Sequence, residues 1–533
     1  MVVLCAFVGL PVASATTYYF DADTGSDTNT GTAPDDAWRS LGNIRDVSLE
    51  PGDRILLRRG SRFEGSLVIE ASGTAEGPVI VGAYGSGPRP LIDADGHLAG
   101  VHLRNAAHVE VRDLRITGDG GPMVDGSPER ERFGVLISAE GEGSFAHITV
   151  RDLHIHDIFP GVGSSHEGRR PTTHLGYGVV IRGTDEGDSG HVLVEGCRIE
   201  RVGFKAIEVQ RVRHIEVVDN WMREIGGPAI QPSRVEDMVV RGNYVHGSGA
   251  FTDARMHGRG SGIWPWTSER ILIERNTFIG ARGKADSCGI HIDYNCRDVI
   301  VQYNLSIDNE GGFIEILGNN HNCAYRYNIS INDGSRVRRR DGAHQEGKIL
   351  WTSGYVGRDR QRVGPYNSYI YNNTIFVGPE SRSCFGIGAT TDGLLVVNNI
   401  FHILGRTENV AGDQGRLDEA VARNIPRGVV RNNLVIREDL FPADLPFGIA
   451  DQIVGDADFR HPGGLNPLDY LPRNTGLVAG QGIPVEKLPG DKRGLMPGLA
   501  VEYDFLGNRI VGAPDLGAIQ VSPPVKSPTK AID

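Results

Sequence analysis

Eight short β-rich segments of this chain end alike, in an asparagine followed by an apolar or hydroxyl residue. VVDNW, VRGNY, IERNT, VQYNL, YRYNI, IYNNT, VVNNI and VRNNL place Asn220, Asn243, Asn276, Asn304, Asn328, Asn373, Asn399 and Asn433 in equivalent positions. The frame continues upstream through Leu114, Leu153 and Cys197. Spacings run from 23 to 45 residues, and the shortest give the unit length. A period of that size marks a solenoid, whose units bury their apolar faces only by stacking. An inward Asn at one corner of every turn predicts amides bonded from rung to rung, because buried polar groups need partners. The expected fold is all-β, a parallel β-helix.

At 533 residues the chain exceeds a usual single core, but a solenoid grows by adding rungs. Its 72 glycines suit a coil that turns several corners per rung. A net charge of −12 argues against nucleic acid or an anionic membrane as the main partner, while leaving room for local basic patches. MVVLCAFVGLPVASA reads as a secretory signal with an A-x-A cleavage site, although no Lys or Arg precedes the apolar run. No later run is long and apolar enough to span a bilayer. A secreted or periplasmic monomer is expected. Cys197 and Cys323 read as buried small hydrophobes. Cys288 and Cys296 are spaced for a bridge as the alternative to two free thiols. The sequons at Asn304, Asn328 and Asn372 read as accidental, two of them falling on the inward ladder.

The repeat register divides the chain into a signal (1–15), an N-terminal β cap (16–96), the β-helix (97–438), a loop-rich C-terminal cover (439–521) and a disordered tail (522–533). The opening YYFDADTGSDTNTGTAPDDAWRSL, the phrase PGDRILLRRGSRFEG and the closing DFLGNRIVGAPDLGAIQ resemble secreted right-handed parallel β-helix proteins. That pectate-lyase-like superfamily includes polysaccharide lyases and glycoside hydrolases. The resemblance implies a right-handed helix and a carbohydrate-active function. The DPHE motif of alginate epimerases is absent, as are the paired-Asp motifs of polygalacturonases and the Lys/Arg motifs of chondroitinase B-like lyases.

Strand alternation assigns the faces. Val179, Ile207, Ile230, Ile263, Ile290, Ile314 and Ile349 are expected inward, with Val180, Glu208, Gln231, Trp264, His291, Glu315 and Leu350 outward. Two residues on lie Arg182, Gln210, Ser233, Trp266, Asp293, Leu317 and Thr352. A merely solvated face would carry Thr, Ser and Lys; this one gathers carboxylates, His and two Trp. Asp293 and Glu315, one rung apart and offset by two residues, should have Cα atoms about 8 Å apart. That spacing suits an inverting glycosidase, with His291 beside them and Glu208 in reserve. Trp264 and Trp266 would stack on sugar rings, and Gln231 would bind hydroxyls. Insertions at 157–177, 246–261 and 333–347 flank this face. His166, Arg169, Arg170, His174, His257, Arg259, Arg336, Arg338, Arg339, Arg340 and His344 make their rims locally basic, which favours a uronate or sulfated sugar.

The leading reading is a polysaccharide-cleaving hydrolase using Asp293 and Glu315. An elimination of a uronic-acid polymer would use His291, Lys205 or Lys284 as base, with Arg182 neutralising the carboxylate. A non-catalytic glycan-binding or surface protein is the third. No metal or other cofactor is expected. Asp21, Asp23 and Asp27 offer calcium as the alternative to simple turns, though the Gly and terminal Glu of the helix-loop-helix calcium loop are missing.

Overall fold

The computed structural model describes residues 15–121, 123–124, 130–160, 175–412 and 421–521. The apolar N-terminal segment, most of the 157–177 insertion with His166, Arg169, Arg170 and His174, and the 522–533 tail lie outside the described residues. Within them the chain winds into a right-handed parallel β-helix of three sheets with 19, 14 and 4 strands. Every paired strand is parallel to its neighbours: Ile207–Val218 on Ile230–Arg241, for example, aligns Glu208 with Gln231 and Gln210 with Ser233. Among the described residues no helix is long and apolar enough to cross a membrane.

The coil extends beyond 97–438 at both ends. Arg54–Arg58 pairs in parallel with Val79–Tyr84, and Ile449–Ala450 and Ile453–Val454 still add to the first two sheets. The upstream coils lack the asparagine frame because Leu91 aligns with Arg115, which puts Pro90 at the ladder corner beside Leu114. Residues 456–521 lie along the flank of the later coils rather than plugging an end. Phe459, Tyr470, Val478 and Leu516 pack on Leu305, Ile329, Ile331 and Ile400 of the second sheet. Tyr303 and Tyr371 anchor the same segment through hydroxyls donated to the carbonyls of Tyr503 and Leu499.

The ladder is continuous. Each Nδ2 from Asn220 to Asn399 donates to the Oδ1 of the next member at 2.9–3.0 Å. That same Oδ1 accepts the preceding member's backbone N–H. The residue before each ladder position is left-handed, and it is not always Gly, Asn or Asp: Arg275 (φ 56), Tyr303 (φ 57) and Tyr327 (φ 52) adopt it too. Such a backbone costs roughly 1–2 kcal/mol per residue, offset here by the amide bonds that the turn directs inward. A second left-handed column, on the outside, stacks His108, His147, His191 and His214 at centroid separations of 4.5–4.7 Å.

All five described cysteines are free and buried, so Cys288 and Cys296 form no bridge. Their burial inside separate contacts is the reason: Cys288 Sγ donates to Glu315, and Cys296 N–H bonds Asn320. The three sequon asparagines are fully buried, leaving no side chain for a glycan. Asp21 accepts bonds from Asp23 N–H, Thr24 N–H, Thr24 Oγ1 and Arg58, and this closes the N-terminal turn.

Asn304 makes the ladder testable. Asn304→Asp removes three donated bonds and buries an acceptor-only group, costing on the order of 3 kcal/mol. Such a carboxyl would have a raised folded-state pKa, so the penalty should grow from pH 4 to pH 8. Chemical unfolding of both proteins at the two pH values measures this. Equal midpoints would refute the bonding scheme.

Candidate active site

Alternation holds through the middle coils. Bridges pair Ile230 with Ile263, Ile263 with Ile290 and Ile292 with Ile316, so Gln231, Trp264, His291 and Glu315 form one column. The frame then slips. Ile314 pairs with Leu350 and Glu315 with Trp351, so Leu350 points into the core and Trp351 takes the place expected for Leu350. The inserted loop 333–347 lets the following strand re-enter one residue out of step.

Loops from 246–261, 282–286, 335–345 and 355–362 rise over this column and enclose a cleft of ≈ 2080 Å³. Gln231, Trp264, Lys284, His291 and Asp293 line it. His291 forms part of the floor and is wholly buried. Trp264 stacks on its ring at 4.8 Å and 18°, and the Arg259 guanidinium lies 5.8 Å from the indole centroid on the same side chain. The indole is thus engaged by protein groups, and its N–H donates to Asp293 Oδ2 at 2.5 Å. Trp264 orients a carboxylate; the more exposed aromatics of the cleft are Phe251 and Tyr355, supplied by loops.

Two carboxyls approach His291 Nε2: Glu315 Oε1 at 3.3 Å and Asp293 Oδ1 at 4.0 Å. Among the described residues, neither His291 nitrogen, nor Glu315 Oε1, has a hydrogen-bond partner. Burial pushes Asp293 up to about 6 despite the bonds from Trp264 and from the Tyr294 N–H. Burial also pushes Glu315 up to about 8, against the opposing effect of the Cys288 thiol 2.8 Å from its Oε2. Burial, helped by the positive charge of Arg259, holds His291 well below the ordinary imidazole value. Lys348 is lowered to about 8, by burial first and then by Arg336. Ionisable groups displaced toward neutrality in a cleft are a mark of functional sites.

Sequence reasoning missed Asp286. Its carboxylate lies with His291 and Glu315 so that one ligand atom from each falls within 4.8 Å of the others. It lines the cleft and forms an ion pair with Arg259. Asp286 sits in a left-handed turn (φ 42) ahead of the Cys288–Ile292 segment, where strand alternation has no reach. The three could in principle hold a divalent cation with mixed N/O ligands. Arg259 on Asp286 and Cys288 on Glu315 compete with an ion for those carboxylates.

The other expected residues lie elsewhere. Glu315 has no solvent-exposed surface and does not line the cleft. Glu208 is buried between Lys205 and Arg182, the latter at 3.1 Å. Burial alone would raise Glu208, but those two cations outweigh it and hold it below the usual range. Arg182 also bridges to Glu131, so Lys205 and Arg182 serve a buried ionic cluster. Trp266 tilts against Tyr294 at 5.8 Å, away from the cleft lining.

The profile of right-handed β-helix regions matches residues 177–375. A lacto-N-biosidase from Bifidobacterium longum subsp. longum is 24% identical over 95% of this chain and 36% of its own length, so the chain spans about a third of that relative. A solved GH136 lacto-N-biosidase from Eubacterium ramulus aligns with TM-score 0.48 and 22% identity over 74% of this chain and 67% of that one. A pectate lyase structure, Pel9A, aligns at TM-score 0.39 and 14% identity over 72% and 80% of the two chains.

Glu315 supplies a stability test. Its folded-state value exceeds the unfolded one, so its contribution is complete below about pH 4.3 and is lost as pH rises through about 8. Glu315→Gln removes that dependence. The stability of the wild type relative to this variant should therefore fall between pH 4.3 and pH 8, read from denaturant midpoints. A constant difference across that window would contradict the burial of an ionisable carboxyl.

Proposed function

We propose that this chain is a glycoside hydrolase that cleaves a glycan in the cleft above His291. One observation carries the reading: Asp286 and Asp293 both line the cleft beside an imidazole whose nitrogens lack hydrogen-bond partners among the described residues, and Asp293 is displaced to about 6. Glycoside hydrolysis needs two carboxyl groups, one to protonate the leaving oxygen and one to act on the opposite side of the ring. Asp293, which burial displaces to about 6, is suited to hold the proton for the leaving oxygen. Asp286, ion-paired with Arg259, is the anionic carboxyl beside His291. Glu315 stays behind the imidazole as a protonated group near neutrality and fixes the floor. The bifidobacterial relative's name, lacto-N-biosidase, supports hydrolysis and a cleft for sugars. The elimination reading loses two of its residues to the buried cluster around Glu208, and a non-catalytic protein has no need of displaced carboxyls.

Asp293→Asn and Asp286→Asn should each lower kcat by about 10²–10⁴-fold while glycan binding persists. Glu315→Gln should cost far less. The screen uses a panel of oligosaccharides, with reducing ends and ultraviolet absorbance read together. Near-normal turnover by both amide variants would sink this assignment, and an absorbing unsaturated product would replace hydrolysis with elimination.

The pH profile gives a separate check. With Asp293 acting protonated, kcat should fall as pH rises through about 6. Trp264→Phe keeps a ring over His291 but removes the N–H that favours the anion, so this alkaline limb should move to higher pH. An unmoved limb would show that the Trp264–Asp293 bond does not govern the titrating group.

A further inference from the structure

One wall of the cleft carries a charge unlike that of the chain as a whole. Lys284, Arg340 and Arg358 line it and are exposed. Lys284 lies across the 340–342 turn, with its Cε 3.3 Å from where a side chain on Gly342 would begin. Behind them Arg336 is only 7% exposed. Its Nε donates to the Gln345 carbonyl at 2.9 Å and its Nη1 to Ser287 Oγ at 2.6 Å. Its Nη2 has no acceptor among the described residues. A guanidinium pinned in this way is a fixed positive charge, screened less than a surface one. Asp286, Glu310, Asp341 and Asp359 are the lining carboxylates nearest in sequence to these cations; Asp286 is taken by Arg259, and Glu310 is engaged by the Gly283 N–H. In a protein of net charge −12, a local excess of cations inside a cleft calls for a ligand of opposite sign.

We propose that this wall is a subsite for a sugar carrying an anionic substituent, either a carboxylate (uronate or sialate) or a sulfate ester. The inference rests on the reading of the cleft as a glycan site and adds the chemical class of one of its residues. Guanidinium forks recognise both kinds of oxyanion by paired charge-assisted hydrogen bonds, and Lys284 adds a flexible point charge. The anion would sit along the wall, leaving the Asp286–Asp293 pair free for the bond to be cleaved. Steering by the same field would hasten encounter at low ionic strength.

The test separates binding from turnover. Saturation-transfer NMR at low salt compares galactose with galacturonate, N-acetylneuraminate and galactose 6-sulfate on the wild type and on Arg340→Gln/Arg358→Gln. Both substituted residues are exposed, so the fold should survive. At least one charged sugar should bind about tenfold better than galactose, with the preference collapsing in the double variant and in high salt. Which of the three is favoured tells carboxylate from sulfate. Equal binding of all four sugars, or a preference that the double variant keeps, overturns the subsite. Turnover of oligosaccharides containing the favoured charged sugar, and of neutral ones, is measured in parallel. Its absence together with a charged-sugar preference would count against the hydrolase reading while leaving the subsite standing.

Discussion

The amide of one asparagine bonded to the amide of the next is the contact on which the rest of this protein depends. It satisfies a polar group at every buried corner, and it permits only one register between successive coils. Register in turn decides which side chains stand above one another. Gln231, Trp264, His291 and Glu315 come from segments far apart in sequence, yet they fall in one column because the ladder holds their coils in step. The chemistry of the cleft is therefore a by-product of a backbone constraint located at another corner of the coil.

What distinguishes the cleft column from other outward columns is its covering. Elsewhere outward carboxylates such as Glu110 and Glu274 pair with arginines. Here loops roof the column, and the energetic cost of burying charge falls on its members. His291 is left neutral, Glu315 keeps its proton to about 8, and Asp293 ionises only near 6. An earlier coil resolves the same problem differently. Glu208 is just as buried, but Lys205 and Arg182 compensate it fully, so it stays an anion with no task beyond cohesion. Burial with compensation gives structure, and burial without it gives reactivity.

The asparagine ladder and the inward–outward assignment of the middle coils were legible in the sequence because both follow from strict two-residue alternation and a repeated corner. Trp264, Gln231, His291 and Asp293 were placed on the cleft for that reason. Legibility failed where alternation stops. Asp286 comes from a left-handed turn, and Trp351 from a strand that re-enters after an insertion one residue out of phase. Glu315 was assigned to the right column, but whether a column faces water depends on loops whose paths carry no period. The role of Trp264 was likewise hidden: its position followed from register, but its partners, His291 and the Asp293 carboxylate, required coordinates.

The ladder also has a sense. From Asn220 to Asn399 every Nδ2 donates one hydrogen to the Oδ1 of the later coil, and every Oδ1 accepts from the earlier one, without a reversal. The row begins on the N–H of Cys197 and ends at Asn433, whose Nδ2 keeps the carbonyl bonds that the other members also make, to Val396 and Arg431. A row of dipoles aligned head to tail grows by whole turns only. Adding or deleting one complete coil leaves each donor facing an acceptor, whereas a fractional coil would leave a corner without its amide. Lengthening confined to the excursions between corners disturbs none of this. The vector character of the ladder thus sets the grammar by which such a chain can change length: its loops are free to vary residue by residue, and its body only in units of one turn.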